Sequence, residues 1–481
     1  MKSPVTLAIV GAGKRGEAYS DYAKRHPDLL KVVAVAEPRT LLRDRLAVTH
    51  GIGPAGCFAD FNALAKAGKI ADAVAICTQD RHHLAPVELL APQGYAILLE
   101  KPMSPDPAEC EQIIACVKKH RNLFAVCHVL LYTELTIKLR EILRAGTIGE
   151  IVSIQHLEPV AWWHQAHSYV RGNWRNQSES SFMLLAKSCH DIDWLRHLVN
   201  AHCQRVVSFG SLRHFKASEK PAGASERCWD CQVEAACPYS AKRIYHTHFQ
   251  RDTVANYLND VITGGRNTLD AVADALRHGP YGRCVYACDN DVVDNQTVML
   301  EFAGPVTATF TMTAFTPAIH RTARIFGTRG FIDTDFVRIR VFDFLTEKET
   351  IHDTSARPDG ATAAAGHGGG DYNLMKAFVH AVATGDASGL HSGPDATLES
   401  HRIVFAAEQS RLEGRLVELP NPLLTKETMA HGRGAKIHRG GGGASALQRR
   451  EIQRDIQRGR GVGQGPHGDE IDAGGGDLAH G

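Results

Sequence analysis

The chain has 481 residues, of which 43% are hydrophobic and 22% charged, and its formal net charge at neutral pH is +1. This composition predicts a globular protein with a sizeable core, and the balanced charge gives no electrostatic basis for binding nucleic acid or an anionic membrane. The sequence contains no run of about 18 apolar residues, so no transmembrane helix is predicted. The twelve scattered cysteines favour reduced thiols in a cytoplasmic protein over a disulfide framework.

Strand-like and helical segments alternate along residues 1–126. The predicted strands are Val5–Val10, Val32–Ala36, Ala73–Cys77, Ala96–Leu99 and Leu123–Cys127, and the helices between them include Ala18–His26 and Glu109–His120. This alternation predicts an α/β domain of the Rossmann type, in which a doubly wound parallel sheet is covered by helices on both faces.

The pattern changes in residues 127–425, where strands dominate and helices are few. The predicted strands are Ile151–Gln155, Thr297–Phe302, Val306–Thr313 and Arg338–Phe344, and two helices follow at Leu374–Ala383 and Ala396–Glu413. We expect a C-terminal α+β domain on a large open mixed sheet. Residues 426–481 are rich in glycine and arginine and poor in large apolar side chains, which predicts a disordered tail.

A glycine-rich turn follows the first predicted strand and opens a helix. Its glycines permit a tight turn and let the backbone approach a pyrophosphate at the helix N-terminus. Glu37 lies about twenty residues on, where a carboxylate binds the ribose hydroxyls of NAD and repels the phosphate of NADP. Arg39 nearby keeps NADP as a less favoured alternative. The predicted cofactor-binding residues of this region are Gly11, Gly13, Lys14, Arg15, Gly16 and Glu37.

Two polar segments follow later strands of the same sheet, at the edge where ligands bind in open α/β folds. One runs from Thr78 to His83 and the other is Glu100-Lys101-Pro102. A lysine at the carboxyl end of a strand would point its ammonium group into the cofactor cleft. This adds five predicted cofactor-binding residues: Thr78, Asp80, His83, Glu100 and Lys101.

The glycine turn, the Thr-x-Asp-x-x-His turn and Glu-Lys-Pro occur in an order and spacing that resemble the glucose-fructose oxidoreductase, inositol dehydrogenase and rhizopine-catabolism (Gfo/Idh/MocA) family. The resemblance implies an NAD-dependent oxidoreductase with a second, α+β domain. It also implies that Lys101 lies beside the nicotinamide and the substrate as a catalytic residue. Because the open sheet of these proteins often pairs with that of another subunit, it further implies a homo-oligomer.

The segment Met183–Asn200 is predicted to form one amphipathic helix. Apolar residues recur along it at intervals of three and four, and a polar face carries Lys187, His190, Asp191 and Trp194. It resembles the His-Asp-x-Asp helix of the family, which implies catalytic roles for His190 and Lys187 and a substrate contact for Asp191. Ala186 stands where a typical dehydrogenase of the family has an aspartate, so the proton-transfer partner is not identified by the resemblance.

Residues 162–175 combine aromatic rings with planar hydrogen-bond donors, which suits a polyhydroxylated ligand. The alternative is that the tryptophans fill a core. We expect a substrate-facing loop here. By their positions, His128 after the last Rossmann strand and Asp371 in the second domain resemble residues near the substrate pocket of the family. The predicted substrate residues, besides Asp191, are His128, Trp163, His164, His167, Arg171, Trp174, Arg175 and Asp371.

Three cysteines with the spacing Cys228-x2-Cys231-x5-Cys237 form the densest cysteine group of the chain. A Cys-x2-Cys pair is a usual beginning of a tetrahedral zinc site. His214, or alternatively His246 or His248, would be the fourth ligand. The two readings left open are a structural zinc site and a set of buried thiols.

These features predict reversible hydride transfer between NAD and a carbinol carbon of a sugar or cyclic polyol. Lys101, His190 and Lys187 would take the hydroxyl proton. One alternative is an NAD-dependent glycosidase that cleaves by transient oxidation and elimination, and another is a non-catalytic sensor that binds NAD and a sugar.

Overall fold

The computed structural model describes residues 4–247, 249, 253–317, 320–355 and 367–420. The predicted tail, 426–481, and the candidate zinc ligand His248 lie outside this part of the chain.

The first sheet has six parallel strands in the order β3-β2-β1-β4-β5-β6. In chain order they are β1 Val5–Val10, β2 Leu30–Ala36, β3 Cys57–Phe58, β4 Ala73–Ile76, β5 Ala96–Leu99 and β6 Phe124–Val126. The central strands are continuous apolar runs because helices cover both faces. Those helices are α1 Lys14–Arg25, α2 Thr40–His50, α3 Phe61–Lys66, α4 Leu84–Leu90 and α5 Pro107–Lys119.

The chain order of the strands reverses between β1 and β4, which are neighbours in the sheet. Ligands of open α/β sheets bind at such a point, outside the carboxyl ends of the strands. The glycine turn follows β1, and the Thr78 and Lys101 segments follow β4 and β5. The predicted Rossmann architecture is confirmed, and it brings the three sequence motifs to one edge of the sheet.

The second sheet has nine strands in the order β14-β13-β12-β11-β7-β10-β9-β8-β15. They are β7 Ile151–Pro159, β8 Cys203–Ser211, β9 Asn295–Phe302, β10 Thr307–Thr313, β11 Thr322–Gly327, β12 Gly330–Thr334, β13 Arg338–Asp343, β14 Lys348–Asp353 and β15 Val417–Glu418. Among the described strands of this sheet, β10 pairs with β7 in parallel and the other pairings are antiparallel, which confirms the predicted open mixed sheet. Burial alternates along β9, where Val298 and Leu300 are buried and Met299 between them is exposed, so one face of the sheet carries the core.

The remaining helices are α6 Glu134–Arg144, α7 Trp162–His164, α8 Met183–Ala186, α9 Cys189–Val199, α10 Thr253–Ile262, α11 Leu269–His278, α12 Gly370–Thr384 and α13 Pro394–Glu413. Residues 165–171 continue α7 as a wider π-helix, so the predicted loop of 162–175 is largely helical. Within the described ranges no helix is both long and apolar enough to span a bilayer.

The prediction of one helix over Met183–Asn200 is wrong in two respects. The helix is broken at Lys187 and Ser188, between α8 and α9. Trp194, which we assigned to the polar face of the helix, is completely buried and donates its indole N–H to Thr136 Oγ1 at 3.0 Å. The polar residues of α9 pair with buried polar groups of other elements, so the helix is enclosed on almost every side. Its sequence pattern therefore does not distinguish a solvent-exposed face from a buried one.

Candidate active site

The glycine turn is too tight for any residue other than glycine at two positions. Gly11 has a φ of +93°, and a Cβ there would lie 2.6 Å from the carbonyl oxygen of Cys77. A Cβ at Gly16 would lie 2.2 Å from the carbonyl oxygen of Gly11. Gly13 caps α1 without a side-chain hydrogen bond. The N-terminus of α1 is therefore approachable by backbone alone, which fits the pyrophosphate of a dinucleotide.

Glu37 lies at the carboxyl end of β2 against this turn. Its buried carboxylate accepts hydrogen bonds from the Ala12 N–H at 2.8 Å and from Arg39 Nε at 2.7 Å. Burial would raise the pKa of Glu37, but the hydrogen bonds from Arg39 and Ala12 lower it overall. An ionised carboxylate with a flexible guanidinium beside it thus stands where the ribose of a dinucleotide would bind.

Arg15 joins three elements through buried carboxylates. Its Nε lies 2.5 Å from Glu100 Oε1 and its Nη2 lies 2.5 Å from Asp371 Oδ1, and it also donates to the Tyr19 hydroxyl. Burial would raise the pKa of Glu100, but Arg15 and Lys101 lower it overall. Arg15 engages one oxygen of Asp371, and the substrate contact of Asp371 stays a prediction.

The residues predicted after β4 are placed around the loop of Lys101. His83 is buried, and its ring nitrogens lie 2.8 Å from the Pro102 carbonyl and 3.1 Å from the Thr78 carbonyl. It therefore ties the two strand-end loops together, and its predicted contact with the cofactor is not supported. Asp80 is also buried and accepts from Ser181 Oγ at 3.3 Å, and burial raises its pKa. Thr78 Oγ1 donates to the His82 carbonyl at 2.9 Å.

Lys14, another predicted cofactor residue, forms ion pairs beside the turn. Its ammonium group pairs with Glu17 at 3.3 Å and with Asp260. The contact with Asp260 joins the first turn of α1 to α10. Lys14 is half-buried, and these two carboxylates help to raise its pKa against the opposing effect of burial. Its charge is thus matched before any phosphate is bound.

Lys101 connects the Rossmann edge to the broken helix. Its Nζ donates a hydrogen bond of 2.7 Å to the carbonyl oxygen of Ala186, the last residue of α8. Helix ends leave carbonyl groups without intrahelical donors, and a cation is a favourable partner for them. Because the helix ends at Ala186, the Ala186 carbonyl can accept the hydrogen bond from Lys101. This contact brings Lys101 close to Lys187, the residue that follows Ala186.

Lys187 is nearly buried and forms an ion pair with Glu158, whose Oε1 lies 3.2 Å from its Nζ. Burial lowers the pKa of Lys187, Glu158 acts against this, and the charges of Arg321 and Lys101 add to the lowering. The net pKa lies below that of an ordinary lysine. A lowered pKa favours the neutral amine, which is the form that can accept a proton from a substrate hydroxyl.

Three histidines surround the two lysines. The ring of His190 lies 5.7 Å from that of His128, edge to face. Burial and then the charge of Lys101 lower the pKa of His128 to about 3. Burial and then the charges of Lys187, His167 and Lys101 lower the pKa of His164, and the ring of His164 stacks on Trp163. The predicted residues Lys101, Lys187, His128, His164 and His190 therefore share one region.

A buried ion network beside Lys187 was missed by the sequence reasoning. Arg321 pairs with Glu158 Oε2 at 2.5 Å and with Asp191 Oδ1 at 2.7 Å, and His156 Nε2 lies 2.7 Å from the same Asp191 oxygen. Burial would raise the pKa of Asp191, but Arg321 and His156 hold it well below its usual range. Asp191 is therefore held by two partners inside the core, and its substrate contact stays a prediction.

The sequence does carry a signal for part of this network. Ile154, His156 and Glu158 alternate along β7, and all three are buried. Alternate residues of a strand face the same side, so a histidine and a glutamate in register with an isoleucine indicate ionisable groups inside the core. Arg321 comes from the segment before β11 and has no comparable local signal.

Four of the predicted substrate residues in 162–175 lie in other surroundings. His167 Nδ1 contacts the Tyr245 hydroxyl at 2.9 Å, inside a small hydrophobic cluster. Arg171 is buried and donates to the carbonyl oxygens of Arg283 and Tyr239, both at 2.8 Å. Arg175 pairs with Asp289 at 2.9 Å and with Glu179, and Trp174 is exposed. Buried donors need internal partners, so Arg171 is structural, and the predicted substrate contacts of His167 and Arg175 are not supported.

The zinc prediction is not supported either. Among the described residues, no group of three or more histidine, cysteine, aspartate or glutamate side chains is arranged to hold a metal ion. His214 Nε2 lies 3.0 Å from the Tyr286 hydroxyl, and Cys228 Sγ lies 3.5 Å from Arg171 Nη2. Cys228, Cys231 and Cys237 are free thiols that line one small cavity.

A glycine turn shaped for a pyrophosphate, a carboxylate at the end of β2 and a lysine at the end of β5 define a dinucleotide-binding oxidoreductase. Residues 5–128 match a family model described as an oxidoreductase family with an NAD-binding Rossmann fold, and residues 136–333 match the GFO/IDH/MocA C-terminal domain. The chain belongs to this family.

Two relatives and a solved structure give the likeness in more detail. The chain is 21% identical to YteT of Bacillus subtilis (strain 168) over 315 residues, which cover 63% of this chain and 71% of YteT. It is 23% identical to the 2,7-anhydro-N-acetylneuraminate hydratase of Escherichia coli (strain K12) over 214 residues, which cover 44% of this chain and 54% of the hydratase. Levoglucosan dehydrogenase, in complex with NADH and levoglucosan, has the same fold, with 18% identity, a TM-score of 0.63 and coverage of 87% of this chain and 100% of that chain.

Proposed function

We propose that the protein transfers a hydride between NAD and a carbinol carbon of a sugar or cyclic polyol. The observation that carries this proposal is the hydrogen bond of 2.7 Å between Lys101 Nζ and the Ala186 carbonyl. It holds a lysine of the cofactor edge against the helix break that presents Lys187 and His190. A hydroxyl carbon bound there would lie between basic side chains and the face of the nicotinamide. The solved levoglucosan dehydrogenase of the same fold supports a sugar-like substrate.

The residues of this chain would bind, orient and deprotonate the substrate. Lys101 and Lys187 would donate hydrogen bonds to neighbouring hydroxyl groups, which fixes one carbinol C–H bond toward the cofactor. The hydroxyl proton would move to a basic group of the site, with Lys101, His190 and Lys187 as the candidates. NAD, when bound, accepts the hydrogen and the electron pair of the C–H bond.

Glu37 supports NAD as the preferred cofactor. The carboxylate would accept hydrogen bonds from the ribose hydroxyls and would repel an added phosphate. Arg39, paired with Glu37 at 2.7 Å, is the group that would accommodate that phosphate. The proposed preference for NAD therefore depends on the negative charge of Glu37.

The test is NADH formation, followed at 340 nm, with NAD and a panel of sugars, inositols and aldonic acids. We expect steady turnover with one polyol class and a loss of about 10²-fold or more in kcat for Lys101→Met, because Lys101 would orient the reacting carbinol and a small misplacement costs about that much. NAD affinity should be retained. Lys69→Met is the matched control, because Lys69 also donates to a backbone carbonyl, that of Gly94 at 2.7 Å, but does so on the exposed surface. Equal turnover in both variants would contradict the role of Lys101.

A second candidate is redox-neutral chemistry, in which a sugar is oxidised transiently so that elimination can follow. The likeness to the 2,7-anhydro-N-acetylneuraminate hydratase favours it. Glycosides and anhydro sugars belong in the same panel, with product release measured beside NADH. Product without net NADH would replace the dehydrogenase proposal by this one. Bound NAD without either product would favour the non-catalytic sensor.

A further inference from the structure

Glu158 is a completely buried glutamate that the proposed reaction does not yet use. It lies near the end of β7, in the middle of the nine-stranded sheet. A buried carboxylate of this kind needs partners for its charge, because the desolvation of an unpaired ion costs several kcal/mol. Its two partners are Arg321, at 2.5 Å from Oε2, and Lys187, at 3.2 Å from Oε1.

The two carboxylates of this network, Glu158 and Asp191, have different partners. Arg321 also binds Asp191 through Nε at 2.7 Å and Nη2 at 3.3 Å, and Asp191 has His156 as an additional partner. Among the described residues, Glu158 forms ion pairs with Arg321 through Oε2 and with Lys187 through Oε1. Two carboxylates thus face one permanently charged arginine, and the network reaches neutrality when Lys187 carries a proton.

Lys187 is the member of this network that reaches the site. Its side chain is 15% exposed, whereas that of Glu158 is fully enclosed. Alanine at 186 supplies no acid from α8, and the carboxylate that forms an ion pair with Lys187 comes from β7. The titratable and charged groups facing Lys187 are Glu158 on β7, Arg321 before β11, Asp191 on α9, Lys101 after β5 and His164 on α7.

We propose that Glu158 is the positioning residue that orients Lys187 and stabilises its protonated form, and that Lys187 is the group that exchanges the hydroxyl proton of the substrate. This inference rests on the proposed hydride transfer. In the oxidation direction, the hydroxyl O–H bond breaks as its proton passes to the neutral Lys187 amine. The C–H bond breaks as its hydrogen and electron pair pass to NAD, which is the oxidant, and a carbonyl group forms. The resulting ammonium is paired with Glu158.

The sign of the effect follows from the charges. Glu158 favours the ammonium form of Lys187, while burial, Arg321 and Lys101 oppose it. Glu158→Gln keeps the shape of the side chain and removes its charge. The pKa of Lys187 should therefore fall, and the amine should remain neutral at lower pH.

The experiment measures the pH dependence of kcat/KM for oxidation in the wild type and in Glu158→Gln. We expect the acidic limb of the profile to move to lower pH by about one unit or more. Glu301→Gln is the matched control, because Glu301 is ion-paired with Arg205 on the exposed part of the same sheet, and its profile should not move. An unchanged limb in Glu158→Gln, with the protein folded and binding NAD, would overturn the proposal, because a merely structural glutamate predicts that result.

A second measurement does not depend on the substrate. The rate at which acetic anhydride acetylates Lys187 in the NAD-bound protein, followed by mass spectrometry across a pH series, reports the fraction of neutral amine. Glu158→Gln should shift this curve to lower pH, and Glu158→Asp, which retains the charge, should restore it toward the wild type. A shifted curve without turnover on any polyol would disprove the proposed function and leave the pairing of Glu158 with Lys187 intact. An unshifted curve would overturn the inference whatever the protein turns over.

Discussion

The Nε2 atom of His401 accepts a hydrogen bond of 3.0 Å from the backbone N–H of Met103. Met103 lies two residues after Lys101, so α13 holds the loop that carries the proposed catalytic lysine. An imidazole nitrogen accepts only when it is unprotonated. Burial and the neighbouring His128 lower the pKa of His401 to about 3. The loop of Lys101 therefore depends on a neutral histidine.

This contact predicts a loss of stability in mild acid. The unfolded chain takes up a proton on this histidine near pH 6.5, and the native protein does so only near pH 3. Between these values the unfolded state binds more protons, so the free energy of unfolding falls as the pH falls, by about 1.4 kcal/mol per pH unit for each such group. His128 and His167, whose pKa values burial lowers to about 3, act in the same direction. Burial raises the pKa of Asp193 to about 6, so between pH 4 and pH 6 the native state binds about one more proton at Asp193 than the unfolded state. This cancels the effect of one of the histidines on the free energy of unfolding.

Urea unfolding at a series of pH values measures this slope. His401→Gln can keep an acceptor for the Met103 N–H but cannot take up the proton. Between pH 6.5 and pH 4, we expect the free energy of unfolding of His401→Gln to change less with pH than that of the wild type. The difference in slope should be about 1.4 kcal/mol per pH unit, which corresponds to one proton. His278→Gln is the control, because the His278 side chain is 74% exposed and should leave the slope unchanged. Equal slopes in His401→Gln and the wild type would contradict the neutral histidine.

The pairing of Glu37 with Arg39 predicts how cofactor preference can be changed. Glu37→Ser removes the acceptor for the ribose hydroxyls, and a lost hydrogen bond to a charged group of about 1.5 to 3 kcal/mol should raise the KM for NAD by about tenfold or more. The released Arg39 guanidinium can then pair with the phosphate of NADP. The measurement is kcat/KM with each cofactor. Arg39→Ala in the Glu37→Ser background should abolish the gain with NADP, and a gain that persists would exclude Arg39 as its source.

The structural assignment of Arg171 predicts a contrast with its neighbour Arg175. Arg171→Met removes the donor from the buried carbonyl oxygen of Tyr239 and from the partly buried one of Arg283, and about 1 to 3 kcal/mol for a buried unpaired group gives a loss of about 1 to 6 kcal/mol in the free energy of unfolding. Arg175→Met breaks ion pairs with Asp289 and Glu179, whose side chains are half exposed, and should cost about 0 to 1 kcal/mol. Urea unfolding measures both. A stable Arg171→Met protein with a raised substrate KM would restore Arg171 to the substrate site.

The Rossmann half of the molecule could be predicted from sequence because its signals are local. The strands β1 and β5 have the predicted limits, and the motifs that follow them are bound to meet once the sheet is parallel. The shared roles of Lys101, Lys187 and His190 were implied only by the family resemblance, because no local pattern shows that a strand end and a distant helix converge.

The substrate side was predicted less well because its decisive contacts join distant residues. Arg321 lies 130 positions from Asp191, and no local pattern indicates which of the two arginines at 171 and 321 meets a carboxylate. Side chains that combine charge with an aromatic or guanidinium plane serve equally in a ligand pocket and in a buried polar network. We assigned His167 and Arg171 to a ligand pocket, but the structure places them in a buried polar network.

The contact between Cys228 and Arg171 has a practical consequence for handling the protein. All twelve cysteines of the chain are unpaired, and the thiol of Cys228 occupies a cavity whose walls include Arg171 and three further cysteines, Cys231, Cys237 and Cys284. Oxidation or alkylation of that thiol would add volume in a space already filled by a guanidinium group, and would displace it from the carbonyls that it holds. Oxidation at Cys228 should therefore disturb this part of the second domain, and a reducing buffer belongs in every purification step.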